Sequence, residues 1–267
     1  MKTQKAKRPL ILLVNDDGFF SPGLSALCEA LDPLGDLLIV APDRQQTSMG
    51  RAYPKKDDLG IIKKNLIQTS TKNFEGYSIT ASPAYAVAYA VKEISNIKPD
   101  LCVSGINYGE NLGKTLSYSG TIGAALQASD LDIPSIAISR PTSLDVINNK
   151  NYLTLDWTIS KKVISYWVEK VIKEGFPFDA PILNVNVPDE IENVFDFKYT
   201  FQSKKELFEF VKPGSRDFNK PYQLPSEKRT NFSDIEIDSD IYTVCVNKIT
   251  SVTPIECDLT YKKFFNK

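Results

Sequence analysis

The sequence predicts an α/β protein, with a Rossmann-like three-layer core, a mostly parallel sheet and a β-rich C-terminal extension. Three observations lead there. Ile11 to Val14 is an aliphatic run without alternation, the pattern of a strand covered on both faces. Comparable runs recur at Leu37 to Val40, Leu101 to Val103, Pro134 to Ser139 and Ile182 to Val187, with helix-period segments between several of them. Beyond Pro188 the composition shifts to charged residues, aromatics and short alternating runs. The core is therefore placed at residues 1–190 and the extension, packed on it, at 191–267. A chain of 267 residues has ample interior for such a core.

Taken in order, the first strand ends abruptly on Asn15-Asp16-Asp17-Gly18. Ser21 then caps a helix whose first turn receives Pro22, and Leu24, Leu27, Cys28 and Leu31 make its apolar face until Asp32-Pro33 stops it. The second strand leads into the loop Ala41 to Gly50. The segment from Arg51 to Lys72 reads as a surface hairpin or edge strands, and Tyr77 to Thr80 as a strand. Ser82-Pro83 opens a helix through Ile94. Ser104 to Gly113 holds three glycines and two asparagines in ten residues, which predicts a loop. A helix of small residues starts after Ser119, another runs from Leu153 to Lys173 and is ended by Gly175, and Phe195 to Phe201 and Ile241 to Val246 read as strands of the extension.

Composition narrows the chemistry. With 32 Lys and Arg against 33 Asp and Glu, the net charge of -1 predicts no bulk attraction to nucleic acid or to an anionic membrane. Histidine is absent, which removes Ser-His-Asp and Cys-His catalysis and histidine zinc sites together. The four cysteines are scattered and form no CxxC, so a reduced, cytoplasmic protein is predicted. The basic start, Met1 to Arg8, precedes an apolar stretch too short for a signal or a membrane span and reads as a solvated tail. Neither GxGxxG nor a P-loop follows the first strand.

Ligands of open α/β sheets bind outside the carboxyl ends of the strands. Three strand-to-loop junctions bring polar residues there: Asn15-Asp16-Asp17, Thr47-Ser48, and Asn107 with Asn111. Carboxylate, hydroxyl and amide oxygens are hard ligands, suited to Mg²⁺, Mn²⁺ or Ca²⁺. The helix opened by Ser119-Gly120-Thr121 offers free N–H groups and two hydroxyls to an anion. A metal beside an anion pocket is equipment for phosphate ester hydrolysis.

The chain resembles the SurE family, the stationary-phase survival proteins that act as metal-dependent nucleotidases. The resemblance is carried in order by Ile11 to Gly18, Ser21-Pro22-Gly23, Ala41-Pro42-Asp43-Arg44, Ser104-Gly105-Ile106-Asn107, Asn111-Leu112-Gly113, Tyr118-Ser119-Gly120-Thr121, Leu183 to Pro188, and Thr253-Pro254. It implies that Asp16, Asp17, Asn107 and the hydroxyl three residues after Arg44 bind Mg²⁺ or Mn²⁺. It also implies Asp16 and Asp17 as the catalytic pair, and a substrate site at Asn15, Gly18, Asn111, Ser119, Gly120 and Thr121. That hydroxyl residue is usually serine followed by glycine in the family, whereas this chain has Thr47 followed by Ser48, which makes Ser48 a reserve ligand. A second departure is Tyr85, where the family commonly has aspartate.

The implied activity is hydrolysis of nucleoside 5'-monophosphates, with 3'-monophosphates and polyphosphate as further substrates, by a homodimer or homotetramer whose extension reaches a neighbouring subunit. The sequence leaves the attacking group open between water and a carboxylate. Two alternatives stand beside this reading. One is a haloacid-dehalogenase-type phosphatase, whose Asp-x-Asp is broken here by Gly18, and the other is a protein of the same fold that binds a nucleotide without turning it over.

Overall fold

The first strand, β1 (Leu10–Val14), is buried from Ile11 to Val14 and lies between two parallel neighbours, with Leu12 opposite both Leu38 and Cys102. Its alternate side chains enter different cores. Ile11 and Leu13 pack with α1 (Pro22–Leu31) and α4 (Thr158–Glu174), while Leu12 and Val14 pack with α2 (Pro83–Tyr89) and α3 (Gly120–Asp130). Helices on both faces explain why the strand is apolar throughout. The computed structural model describes residues 8–142 and 155–260.

Among the described residues the sheet has nine strands in the order β3-β4-β2-β1-β5-β6-β7-β11-β8. Its parallel centre is β4 (Asn73–Ile79), β2 (Asp36–Pro42), β1, β5 (Leu101–Tyr108), β6 (Ser135–Arg140) and β7 (Ile182–Asn186). At one edge β3 (Ile62–Gln68) forms an antiparallel hairpin with β4. At the other, β11 (Thr250–Ile255) runs antiparallel to β7 and carries β8 (Phe197–Tyr199) parallel to itself. The segment after Pro188 therefore contributes two strands to the main sheet. It also forms a separate hairpin, β9 (Phe208–Phe210) with β10 (Ser226–Lys228).

Several boundaries differ from the sequence reading, each for a local reason. β5 continues through Tyr108 instead of yielding to a loop at Ser104, because a bulge between Ser104 and Asn107 absorbs the extra residues, with Gly105 at φ 141°. Ile241 to Val246 is not a strand. It lies in and just beyond α5 (Asp240–Cys245), capped by Ser239, whose hydroxyl accepts from the Tyr242 N–H at 3.3 Å. Ile241, Val244 and Cys245 stand at helical spacing there, while Tyr242, Val244 and Val246 stand at the alternate spacing of a strand. α2 stops at Tyr89 and continues to Ile94 as a wider π turn. α4 starts at Thr158; the predicted start at Leu153 lies outside the described residues, as do residues 1–7 of the basic tail. Arg8 bonds the Asp36 carboxylate and the Gly35 carbonyl.

Candidate metal centre

The chain leaves β1 through a turn that Asn15 builds from both ends of its amide. Nδ2 donates to the Gly18 carbonyl at 3.1 Å and to Ser21 Oγ at 2.6 Å, and Oδ1 accepts from the Gly18 N–H at 3.2 Å. Gly18 sits at φ 106°, a conformation that side chains rarely adopt. The turn fixes Asp16 and Asp17 side by side at the carboxyl end of the sheet, 4% and 2% exposed.

Each carboxylate is held by neutral donors. Thr121 Oγ1 donates to Asp16 Oδ1 at 2.7 Å, and the Tyr108 N–H donates to Asp17 Oδ2 at 3.2 Å. Burial raises the Asp16 carboxyl from 3.8 to about 6, against the Thr121 hydrogen bond that lowers it, and no lysine or arginine among the described residues acts on it. Burial and then the charge of Asp16 hold Asp17 well above the usual carboxylate range. Two buried acids without a cation beside Asp16 are costly when both ionise, and a divalent cation removes that cost.

The neutral oxygens come from the end of β5 and from the loop after β2. Asn107 is buried and spends its amide donor on the Gly109 carbonyl at 2.6 Å, which leaves Oδ1 as a ligand oxygen. The loop after β2 is tied to the site by the Gln46 N–H, which donates to the Asp16 carbonyl at 2.7 Å. It presents Thr47 and Ser48, both exposed. Ser48 stands at φ 60°, which accounts for the family's glycine at this position. Among the described residues no group of three or more His, Cys, Asp or Glu side chains could hold a metal. The donor set is two carboxylates with neutral oxygens, which fits a hard divalent ion.

The helix α3 begins beside Asp16. Ser119 is its cap, accepting from the Ile122 N–H at 3.2 Å. A Cβ at Gly120 would meet Asp16 Cβ at 2.7 Å and Oδ2 at 2.8 Å, so only glycine lets the helix end approach the carboxylate this closely. Thr121 is turned to Asp16, where it orients a carboxylate.

Asn111 is built into the scaffold. Its N–H donates to Asn186 Oδ1 at 2.8 Å, its Nδ2 to Ser139 Oγ at 2.8 Å, and its carbonyl accepts from Asn184 and Asn186. Sequence reasoning gave Ser139, Asn184 and Asn186 no role at the site. For Asn184 and Asn186 the signal is two asparagines two residues apart in an otherwise apolar strand, which call for buried partners. Tyr85, the family departure, packs against Tyr53 and Tyr89 with ring centroids 5.2 and 4.9 Å away.

The chain is similar to known proteins along most of its length. The sequence matches the family model described as Survival protein SurE over residues 11–209. It is 36% identical over 262 residues to the 5'-nucleotidase SurE of Methanobrevibacter smithii, covering 93% of this chain and 95% of that protein. It is also 36% identical over 261 residues to the 5'-nucleotidase SurE of Aquifex aeolicus, covering 96% and 95%. The crystal structure of the SurE protein from Aquifex aeolicus matches with a TM-score of 0.74 at 33% identity, with 97% of each chain covered. No similarity supports the haloacid-dehalogenase alternative, and Gly18 stands where its second acid is required. Motif order, whole-chain identity and fold agree: this chain belongs to the SurE family.

Proposed function

We propose that this protein is a metal-dependent 5'-nucleotidase that hydrolyses nucleoside monophosphates to nucleoside and inorganic phosphate. The observation that carries the reading is the buried Asp16–Asp17 pair set against the start of α3, so that a cation-demanding and an anion-accepting site share one wall. Relatives along the whole chain carry the name 5'-nucleotidase SurE, which supports the same reading.

In this proposal Asp16, Asp17, Asn107 and Thr47 hold the ion, Mg²⁺ or Mn²⁺, with Ser48 in reserve. When bound, such an ion supplies Lewis-acid stabilisation of charge on the phosphoryl group. Asp16 or Asp17, besides helping to hold the ion, serves as the base for the attacking group. The Gly120 N–H at the start of α3, with the Ser119 hydroxyl, receives the phosphate, while Thr121 supports it from behind by holding Asp16 through its side chain and backbone. Asn15, Gly18 and Asn111 belong to the substrate site in this proposal, Asn15 and Gly18 through the turn they build and Asn111 through the amide cluster that fixes its backbone and Nδ2.

The core at 1–190 carries this site, and the extension at 191–267 makes homodimer or homotetramer contacts, a role supported by the exposed Phe210 and Phe218. The proposed location is the cytoplasm, in keeping with four free cysteines; no helix among the described residues is long and apolar enough to cross a membrane. Phosphate release from a panel of nucleoside 5'- and 3'-monophosphates and from polyphosphate, with Mg²⁺, with Mn²⁺ and with EDTA, tests the proposal. Turnover that is metal-dependent and strongest on 5'-monophosphates is the expected result, and turnover indifferent to EDTA rejects it.

A further inference from the structure

Glu110 is a buried acid that the proposed chemistry does not use. Its side chain is 0% exposed, and its ion-pair partner is the ammonium of Lys228, on β10 of the C-terminal hairpin. Beyond that ammonium neither carboxylate oxygen has a hydrogen-bond partner among the described residues. The Lys228 side chain is 43% exposed and also lies over the Phe208 ring, 5.6 Å from its centroid. The Cys245 thiol, pushed up to about 11 chiefly by burial, feels the charges of both, which places the pair beside α5.

The neighbours of Glu110 are anchored one by one. Asn111 is held by the amide cluster of β6 and β7. Leu112 enters a small core with Leu207, Ile235, Ile241 and Val244. The Gly113 N–H donates to Asp240 Oδ2 at 2.8 Å, and its carbonyl accepts from Gln202 Nε2 at 2.8 Å. Three of these four successive residues are thus gripped by the C-terminal segment, and the stretch begins three residues after Asn107, the proposed metal ligand.

We infer that Lys228 is a positioning residue for the metal site, acting through Glu110. By neutralising that buried carboxylate, the C-terminal hairpin holds the 109–113 loop, and with it the end of β5, in the geometry that places the Asn107 oxygen. A stranded charge here would draw the loop toward water. The partners are unequal, because Lys228 can hydrate where it stands and Glu110 cannot.

The inference rests on the metal-site reading, and its test separates the two. Mn²⁺ is titrated calorimetrically into the full-length wild type, Lys228→Met and the double variant Glu110→Met/Lys228→Met, and KM and kcat are measured for each. Lys228→Met should weaken Mn²⁺ binding about ten-fold, the loss typical of removing a group that orients a ligand, while the double variant returns to within about three-fold of wild type because no charge is stranded. Unchanged Mn²⁺ affinity in Lys228→Met overturns the inference, as does a double variant as impaired as the single one. If Lys228→Met does not fold, the double variant decides: near wild-type Mn²⁺ affinity supports the inference and a ten-fold loss overturns it. A wild type that binds no Mn²⁺ overturns the metal site and this inference together. One that binds Mn²⁺ without turning over nucleotide rejects the enzymatic reading alone.

Discussion

The hydroxyl of Thr121 donates to Asp16 Oδ1 at 2.7 Å, joining the first turn of α3 to the end of β1 across 105 residues of sequence. This bond opposes the effect of burial on Asp16 and fixes the direction of its second oxygen. Thr121→Val keeps the shape and removes the donor. Because a hydrogen bond to a charged group contributes about 1.5–3 kcal/mol, the Asp16 carboxyl should rise further above about 6 and the half-saturating Mn²⁺ concentration about ten-fold. A variant that raises KM for nucleotide with unchanged Mn²⁺ affinity would return Thr121 to the phosphate.

Asp16 also sets how the metal-free protein responds to pH. Its folded value of about 6 lies above the ordinary 3.8, so between these limits the folded state binds more protons than the unfolded one. Stability from this group is therefore greatest below about pH 4 and falls as pH rises through 6. The loss is about 3 kcal/mol at neutral pH at one unit per 1.36 kcal/mol. Asp16→Asn removes the charge at similar volume. Without metal it should melt above the wild type at pH 7 and level with it near pH 4, as read from thermal melts across that range. Added Mn²⁺ should stabilise the wild type at pH 7 and leave Asp16→Asn nearly unmoved. Identical pH profiles for the two metal-free proteins would contradict the assignment.

Gly120 tests the close approach of helix and carboxylate. A methyl group at this position meets Asp16 Cβ and Oδ2 inside 3 Å, so the Asp16 side chain or the helix end must shift. Gly120→Ala should lower kcat/KM by at least ten-fold with a Tm within a few degrees of wild type, since alanine favours the helix while the displaced carboxylate spoils the site. Full activity in a folded Gly120→Ala protein would place the helix end farther from Asp16.

Much of this arrangement was legible before any coordinates. The unbroken run Ile11 to Val14 announced a strand covered on both faces, and Ser21-Pro22 and Ser119 marked helix starts, because caps and burial are local and leave local signatures. The pairing of Asp16 with Thr121, and of Asn111 with Asn186, was not legible, since each joins residues that only the sheet order brings together. Ile241 to Val246 misled because four apolar residues in six satisfy a strand as readily as a short helix, and Ser239 decided between them. The glycines of 105–113 spoke for a loop, whereas part of that freedom serves a bulge inside β5.

The loop after β2 carries the last question, which hydroxyl serves the metal. Thr47 and Ser48 are both exposed, but they differ in backbone: Ser48 stands at φ 60°, where a side chain is strained and glycine is not. Ser48→Gly, the residue usual in the family, should therefore hold or raise Tm, by up to about 1 kcal/mol of relieved strain, and keep Mn²⁺ affinity. Thr47→Val matches threonine in shape and lacks the oxygen, so it should weaken Mn²⁺ several-fold without changing the Tm of the metal-free protein. A neutral ligand contributes less than a carboxylate, so this loss should stay below that of Asp17→Asn. The two titrations decide between the hydroxyls: a drop in Ser48→Gly with none in Thr47→Val moves the ligand one residue along, and no drop in either leaves that coordination position to water.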